Sequence, residues 1–265
     1  MSQNSIQQFY DDMADDYHLI FADWKTSLER QREQIKGIFE HVFTDISPDM
    51  TILDCACGIG TQAIGLAQLG YRVHGTDLSP QAIARAKKEA EHMSVSITFS
   101  VADMRTLHEQ VDGQFDCIVA FDNALPHLID TSELTKAGKS IFAITKAGGR
   151  FIASIRDYDD LLDNYKKPEL MSQRLMQTET SKRITFQLWE WTSDTDYTVT
   201  QFILTRDTHN AEWQTRTYTT HYWAMRRRVL KMALKNAGFV DITWLMPQES
   251  GYYQPVVIAR KPDTS

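Results

Sequence analysis

Thr51-Ile52-Leu53-Asp54-Cys55-Ala56-Cys57-Gly58-Ile59-Gly60, TILDCACGIG over 51–60, is the stretch whose reading decides the fold. Thr51 to Leu53 is β-branched and apolar, too short for a helix and suited to a buried parallel strand. Asp54 stands at the carboxyl end of that strand, and Gly58 and Gly60 bracket a tight turn. Thr61 to Leu69 is apolar at helical spacing, so the order is strand, glycine turn, helix. Glycine suits such a turn because a side chain would hold the backbone away from a bound nucleotide-like ligand, and some of its torsions need positive φ. A second strand, Arg72 to Thr76, ends on Asp77, seventeen positions after Gly60. An acid about twenty positions beyond a glycine turn is placed to accept hydrogen bonds from ribose hydroxyls.

The chain continues this alternation. Before the turn, Ser5 to Ile20 reads as a short helix and an aromatic, acidic loop, and Lys25 to Phe43 as an amphipathic helix. After it come a helix starting at Ser79 or Pro80, a strand from Ser96 to Val101 ending at Asp103-Met104, and a strand from Phe115 to Phe121. A helix from Thr131 to Ala147 closed by Gly148-Gly149 and a fifth strand, Arg150 to Ile155, follow. Alternating β and α units imply a mostly parallel sheet covered on both faces, with ligands outside the carboxyl ends of the strands near Asp54, Asp77, Asp103 and Phe121. From Arg183 the pattern changes to ITFQLWEW, YTVTQFILTRD and WQTRTYTTHYW, which read as three antiparallel strands in an inserted layer. A helix from Met225 to Ala237, ended by Gly238, and two last strands, Phe239 to Met246 and Tyr253 to Ala259, return to the main sheet as an edge hairpin. The expected divisions are 1–45, an N-terminal helical lid; 46–160 with 224–265, the core; and 161–223, the inserted β subdomain.

Composition narrows the function. With 265 residues and 42% hydrophobic content the chain can bury a sizeable core. A net charge of −7 argues against a large phosphate-binding surface, hence against nucleic acid as partner. Arg226-Arg227-Arg228 reads as a solvated helix face. No apolar run reaches the roughly 18 residues of a membrane span, and the polar, acidic N-terminus reads as neither signal nor transit peptide. The three cysteines, Cys55, Cys57 and Cys117, read as small buried residues in a reducing cytoplasm. His209 and His221 lack partners at ligand spacing, so no metal site is expected.

The turn is not the dinucleotide fingerprint, since Gln62 and Ala63 follow Gly60 and the third glycine is missing. It resembles motif I of the class I S-adenosylmethionine-dependent methyltransferases, (D/E)xxxGxG, in Asp54, Gly58 and Gly60, with Asp77 as the motif II acid. That resemblance implies an α/β, Rossmann-like fold with a seven-stranded, mostly parallel sheet, here carrying an inserted small antiparallel β-layer. It implies S-adenosylmethionine as cofactor and S-adenosylhomocysteine as product. Asp77 would hold the ribose diol, and Asp54 would hold the turn or meet the cofactor's ammonium group. Cys55, Ala56 and Leu78 would line the site beside them, with Phe121 at the end of its strand. Asp103 would take the adenine amine and Met104 would pack on the ring, although an acid there also suits a helix N-cap.

Three further segments resemble the glycine/sarcosine N-methyltransferase family. Ala120 to Leu128, AFDNALPHL, is similar to a GNSxxHL-like segment in Asn123, His127 and Leu128, with Asp122 and Ala124 in place of glycine and serine. The (N/D)PPY of enzymes that methylate DNA, RNA or protein glutamine is absent. Ile155 to Asp159, IRDYD, is similar to HRNYD, which sets Arg156 where the family holds the substrate carboxylate; the same arginine could instead pair with Asp157 or Asp159. Tyr17 to Gln31 is similar to the closing N-terminal segment, where Tyr17 would line the lid and Arg30, or else Arg32, would take the cofactor carboxylate. The resemblance implies methyl transfer to the amine of a small amino acid such as glycine or sarcosine. Asn123 would aim the amine, Arg156 would hold the carboxylate, and His127 would orient or accept a proton. A methyltransferase for another small molecule and a non-catalytic cofactor-binding protein are the other readings.

Overall fold

The computed structural model describes residues 3–44, 47, 49–164, 169–207 and 212–263. Its main sheet has seven strands: β1 (Thr51–Asp54), β2 (Arg72–Asp77), β3 (Thr98–Val101), β4 (Phe115–Ala120), β5 (Thr145–Ser154), β10 (Val240–Leu245) and β11 (Val256–Arg260). Their order is β10-β11-β5-β4-β1-β2-β3, and β11 alone runs against its neighbours. The chain moves outward from β1 through β2 to β3, then crosses back to lay β4 on the other side of β1. A ligand crevice therefore opens where those directions diverge, above the carboxyl ends of β1 and β4.

Alternation along the strands divides the core between the two sheet faces. Ile52 and Cys117 point into a cluster with Leu28, Ile35 and Phe39 of α2 (Trp24–Val42) and with α3 (Thr61–Gln68) and α4 (Pro80–His92). Leu53 and Ile118 point the other way, toward α5 (Leu107–Gln110), α6 (Thr131–Ile144) and α8 (Arg227–Ala237). All three cysteines are buried and free, Cys117 in mid-strand. No described helix is long and apolar enough to cross a membrane.

Helix starts follow local chemistry. Ser79 is the N-cap of α4, its hydroxyl accepting the Ala82 N–H at 2.9 Å and donating to Asp11 Oδ1 at 2.5 Å, with Pro80 in the first turn. Asp11 lies on α1 (Gln3–Met13), so this one hydroxyl both caps a core helix and pins the N-terminal helix. Ser79→Ala is expected to cost about 1–2 kcal/mol in thermal or denaturant unfolding, the upper end of a cap deletion, because the Asp11 contact goes as well.

The helix read as running to Ala147 stops at Ile144. The Thr145 hydroxyl donates back to the Ile141 carbonyl at 2.7 Å, and the chain enters β5 at once. Gly148 has φ 72°, and a Cβ on Gly149 would meet the Lys146 and Asp116 carbonyls at 2.8 and 2.9 Å. The glycine pair therefore makes a bend inside β5, not a helix cap.

The insertion is a separate antiparallel sheet of four strands, not three: β6 (Leu170–Gln177), β7 (Ser181–Trp191), β8 (Asp196–Asp207) and β9 (Gln214–Trp223). β6 escaped the sequence reading because it is an exposed edge whose residues lack apolar alternation. Two thirds of the arginine run expected to be solvated are engaged. Arg226 pairs with Asp163 at 2.6 Å and Arg227 with Asp159 at 2.8 Å, tying α8 to α7 (Tyr158–Asp163), while Arg228 is exposed. His209 lies outside the described residues. His221 bonds Thr198 Oγ1 through Nδ1 at 3.1 Å.

Candidate active site

An open cleft of about 920 Å³ lies above the carboxyl ends of β1, β2 and β4. That volume includes the open mouth of the cleft, whose walls carry both apolar residues, such as Met104 and Phe121, and acids, such as Asp77 and Asp103. The glycine turn forms its floor. Gly58 has φ 51° and a Cβ there would meet nothing within 4 Å, so the missing side chain leaves space on the ligand side. Gly60, φ 92°, starts α3, and a Cβ on it would press on Ile64 and Ala86 at 3.2 and 3.3 Å. The first glycine clears the site; the second packs the helix.

Two buried acids brace the turn. Asp77 accepts the Gly58 N–H at 2.8 Å and the Ser79 N–H at 2.9 Å, and it lines the cleft. Each of its oxygens keeps a further lone pair for a hydroxyl donor. Asp54 is buried beneath, with Oδ1 near the Ala56 N–H at 3.4 Å and Oδ2 without a partner. Burial pushes its carboxyl up to about 8, and the negative charges of Asp77 and Asp122 push the same way. A buried acid with an unpartnered oxygen beneath the cleft suits a cationic ligand group, whose charge would draw off the proton.

The sign of that shift predicts a stability profile. A folded-state value raised above the unfolded one of about 3.9 means the native protein holds the extra proton between the two, so stability falls as pH rises through that window. Asp54→Asn removes the titration. Thermal melts of the ligand-free protein should show the variant gaining on the wild type steadily from pH 5 to about 8; a pH-independent difference would contradict the assignment.

Of the other residues expected at the cofactor site, Cys55, Ala56, Leu78, Asp103, Met104 and Phe121 all line the cleft. Asp103 is engaged: Arg105 Nε reaches both its oxygens at 3.0 Å, and Arg105 Nη1 reaches Glu133 at 2.5 Å. It caps no helix, since α5 starts at Leu107. Arg30 does not reach the cleft. It lies on the exposed side of α2, and Arg32 pairs with Glu33 at 2.9 Å. Helical rotation turns Gln31 inward instead, where it is 1% exposed.

Gln31 belongs to a network no sequence segment announces. Asp122, at φ 56° just after β4, accepts from Gln62 Nε2 at 2.7 Å, Gln31 Nε2 at 3.4 Å, the Tyr253 hydroxyl at 2.8 Å and the Tyr252 hydroxyl. This carboxylate ties α2, α3 and the segment before β11 to the loop at the cleft.

Asn123, φ 66°, is buried and does not line the cleft. Its Oδ1 accepts the Arg156 N–H at 2.9 Å and its Nδ2 donates to the Tyr158 hydroxyl at 2.9 Å. Its amide joins the loop after β4 to the one after β5, a positioning arrangement outside the cleft lining. His127 does line the cleft. Its Nδ1 lies 3.0 Å from the His221 carbonyl, which only accepts, so Nδ1 carries the proton and Nε2 accepts from the Tyr10 hydroxyl at 2.7 Å. Burial, with the Arg156 charge nearby, holds the imidazole down to about 3, so it is neutral at ordinary pH.

Arg156 sits half-buried beside this group. Its guanidinium lies 4.9 Å from the ring centres of both Trp189 and Tyr222, and Nη1 donates to the Tyr197 hydroxyl at 3.2 Å. Asp157 and Asp159, its sequence neighbours, are held by Arg227, and no described carboxylate comes within ion-pair distance of Arg156. The aromatic box of Trp189, Tyr197 and Tyr222 comes from the second sheet, which the sequence showed only as alternating aromatics. Tyr17 lines the cleft, its hydroxyl proton held more tightly by burial and by the Asp122 charge. The surrounding N-terminal segment is fixed from both sides. Asp16 accepts the Tyr218 hydroxyl at 2.6 Å and pairs with Arg216, Arg183 donates to the Phe21 carbonyl at 2.8 Å, and Arg85 of α4 donates to the Asp15 carbonyl at 3.1 Å.

The seven-stranded sheet and its glycine turn have the fold of class I methyltransferases of known structure. Residues 52–149 match the methyltransferase domain family. A glycine/sarcosine N-methyltransferase of Parasynechococcus marenigrum (strain WH8102) is 30% identical over 158 residues, 59% of this chain and 54% of that protein. A glycine/sarcosine/dimethylglycine N-methyltransferase of Actinopolyspora halophila is 32% identical over 114 residues, 43% of this chain and 20% of that protein. The chain thus spans about half, or less, of the length of these curated relatives. Among solved structures, the amino pentose methyltransferase CalS10 of Micromonospora echinaspora aligns with a TM-score of 0.69 at 16% identity, covering 88% of this chain and 91% of that one.

Proposed function

We propose that this protein is an S-adenosylmethionine-dependent methyltransferase acting on the amine of a small amino acid such as glycine or sarcosine. The observation that carries the acceptor class is Arg156, an aromatic-boxed guanidinium with no described carboxylate partner. It stands outside the cleft lining and behind it, its neighbour Tyr222 packing 4.2 Å from the His127 ring of the cleft wall. A planar guanidinium is suited to grip a carboxylate in two places. The cofactor reading rests on the Asp77 acceptors, the space at Gly58 and the unpartnered Asp54 oxygen.

When bound, S-adenosylmethionine would supply a methyl already activated on a sulfonium. The protein's contribution is then proximity and orientation. Asp77 would hold the ribose end, and Asp54, giving up its proton as the cation binds, would balance the ammonium of the tail. Arg156 fixes the acceptor carboxylate, so that the amine stands toward the turn. Asn123 acts through Arg156, whose N–H it holds. Neutral His127, with Nε2 occupied by Tyr10, positions the rim and does not serve as a base. Tyr17 and residues 1–45 act as the lid, and 161–223 as the acceptor side of the site.

A second reading has one observation in its favour. Asp122 stands where the glycine/sarcosine-type segment has glycine, and a carboxylate at the cleft suits a larger or differently charged acceptor. Labelled methyl transfer from S-adenosylmethionine to glycine, sarcosine, dimethylglycine, an amino sugar and a phenol separates the two. Label on the amino acids supports the first reading. Label only on acceptors without a carboxylate overturns it in favour of the second, and cofactor binding with no label on any acceptor indicates a non-catalytic binding protein.

A further inference from the structure

The second sheet has two faces of different fate. Trp189, Tyr197, Val199 and Ile203 point inward and are buried. From the same side, Arg183, Arg216 and Tyr218 reach the N-terminal segment. The registers Leu175↔Ile184, Ile184↔Leu204 and Phe186↔Phe202 place Leu175, Ile184, Phe186, Leu188, Phe202 and Leu204 together on the opposite face. Neither core cluster of the described residues contains any of these six. Leu175 is 67% exposed, and the Phe186 and Phe202 rings stack at 4.7 Å on each other. An apolar stripe of this kind is unusual on a surface that faces only water.

We propose that this outer face is a homodimer interface, covered by the same face of a second copy. The extent suffices for a stable pair: four strands about 4.8 Å apart and roughly ten residues long give a footprint on the order of 600 Å² per chain, at the lower bound of stable, specific interfaces. Charge favours a copy over another partner. On this face Lys182 lies four residues before Phe186 and Glu190 four residues after it, and Arg206 stands beside Lys182 in the register. A two-fold axis between the sheets, crossing the strands at the Phe186–Phe202 pair, sets Lys182 of each copy against the partner's Glu190. The face is therefore complementary to itself, as an isologous interface requires. Packing of this type also covers the exposed edge region of β6 near Leu175.

Sedimentation velocity of the full chain at micromolar concentration tests this. The expected species has about twice the 30.5 kDa chain mass. Phe186→Asp with Phe202→Asp should raise the dimer dissociation constant by more than about 100-fold while circular dichroism stays unchanged. Because that variant changes two large side chains, a milder one accompanies it. Lys182→Glu should weaken the dimer several-fold and Lys182→Glu with Glu190→Lys should restore it. A wild type that sediments as a single chain, a folded aspartate variant that stays dimeric, or a charge exchange that fails to restore association would each overturn the proposal.

Discussion

Asp77→Ala is expected to lower affinity for S-adenosylmethionine by about 10²–10³-fold in calorimetric titration. The carboxylate accepts the Gly58 N–H at 2.8 Å and the Ser79 N–H at 2.9 Å. Hydrogen bonds to a charged group contribute about 1.5–3 kcal/mol each, and every 1.4 kcal/mol is about tenfold in affinity. The alanine variant loses the fixed shape of the turn and the acceptor for the ribose diol together. Asp77→Asn keeps one acceptor and points an amide N–H at a donor, so its loss should be smaller. Circular dichroism and melting distinguish a damaged site from an unfolded protein. An alanine variant that folds and binds within threefold of the wild type would contradict the role given to Asp77.

Arg156→Ala is expected to lower kcat/KM for an amino acid acceptor by about 10²–10³-fold, with the affinity for the cofactor unchanged. Removing one partner of a desolvated, hydrogen-bonded charge pair costs about 2–5 kcal/mol. Arg156→Lys should recover little, because an ammonium cannot grip a carboxylate in two places or stack between Trp189 and Tyr222 as a planar group does. Arg156 also donates to Tyr197, so a stability loss is expected and is measured separately. The discriminating quantity is the split between acceptor and cofactor. Equal weakening of both would mean that the arginine only shapes the site.

What could be read from the chain alone was what neighbours in sequence decide. The strand, turn and helix around Gly58 and Gly60, and Asp77 at the end of the next strand, follow from short spacings that leave the backbone few alternatives. Both His127 and Arg156 lie in short segments just after a strand, and the topology sets His127 in the cleft wall and Arg156 behind it against Tyr222. The Asp122 network was not legible. Its donors stand at 31, 62, 252 and 253, and only the folded sheet brings them to one carboxylate. Arg30 failed for a different reason. One residue of helical rotation, about 100°, separates it from Gln31, and charge made the arginine the more conspicuous choice. Asn123 matched its motif, yet backbone at positive φ turned its amide inward to Tyr158 and Arg156. The glycines at 148 and 149 looked like a helix stop because the bend they make and a cap both need a residue without Cβ.

The most direct test of the central claim is mass spectrometry of glycine after incubation with the wild-type protein and S-adenosylmethionine, beside the Arg156→Ala variant. The wild type should give a product heavier by one methylene, and the variant almost none while its cofactor binding stays intact. Unmodified glycine in both, with the cofactor bound, would contradict that claim and move the methyl to an acceptor that does not need Arg156.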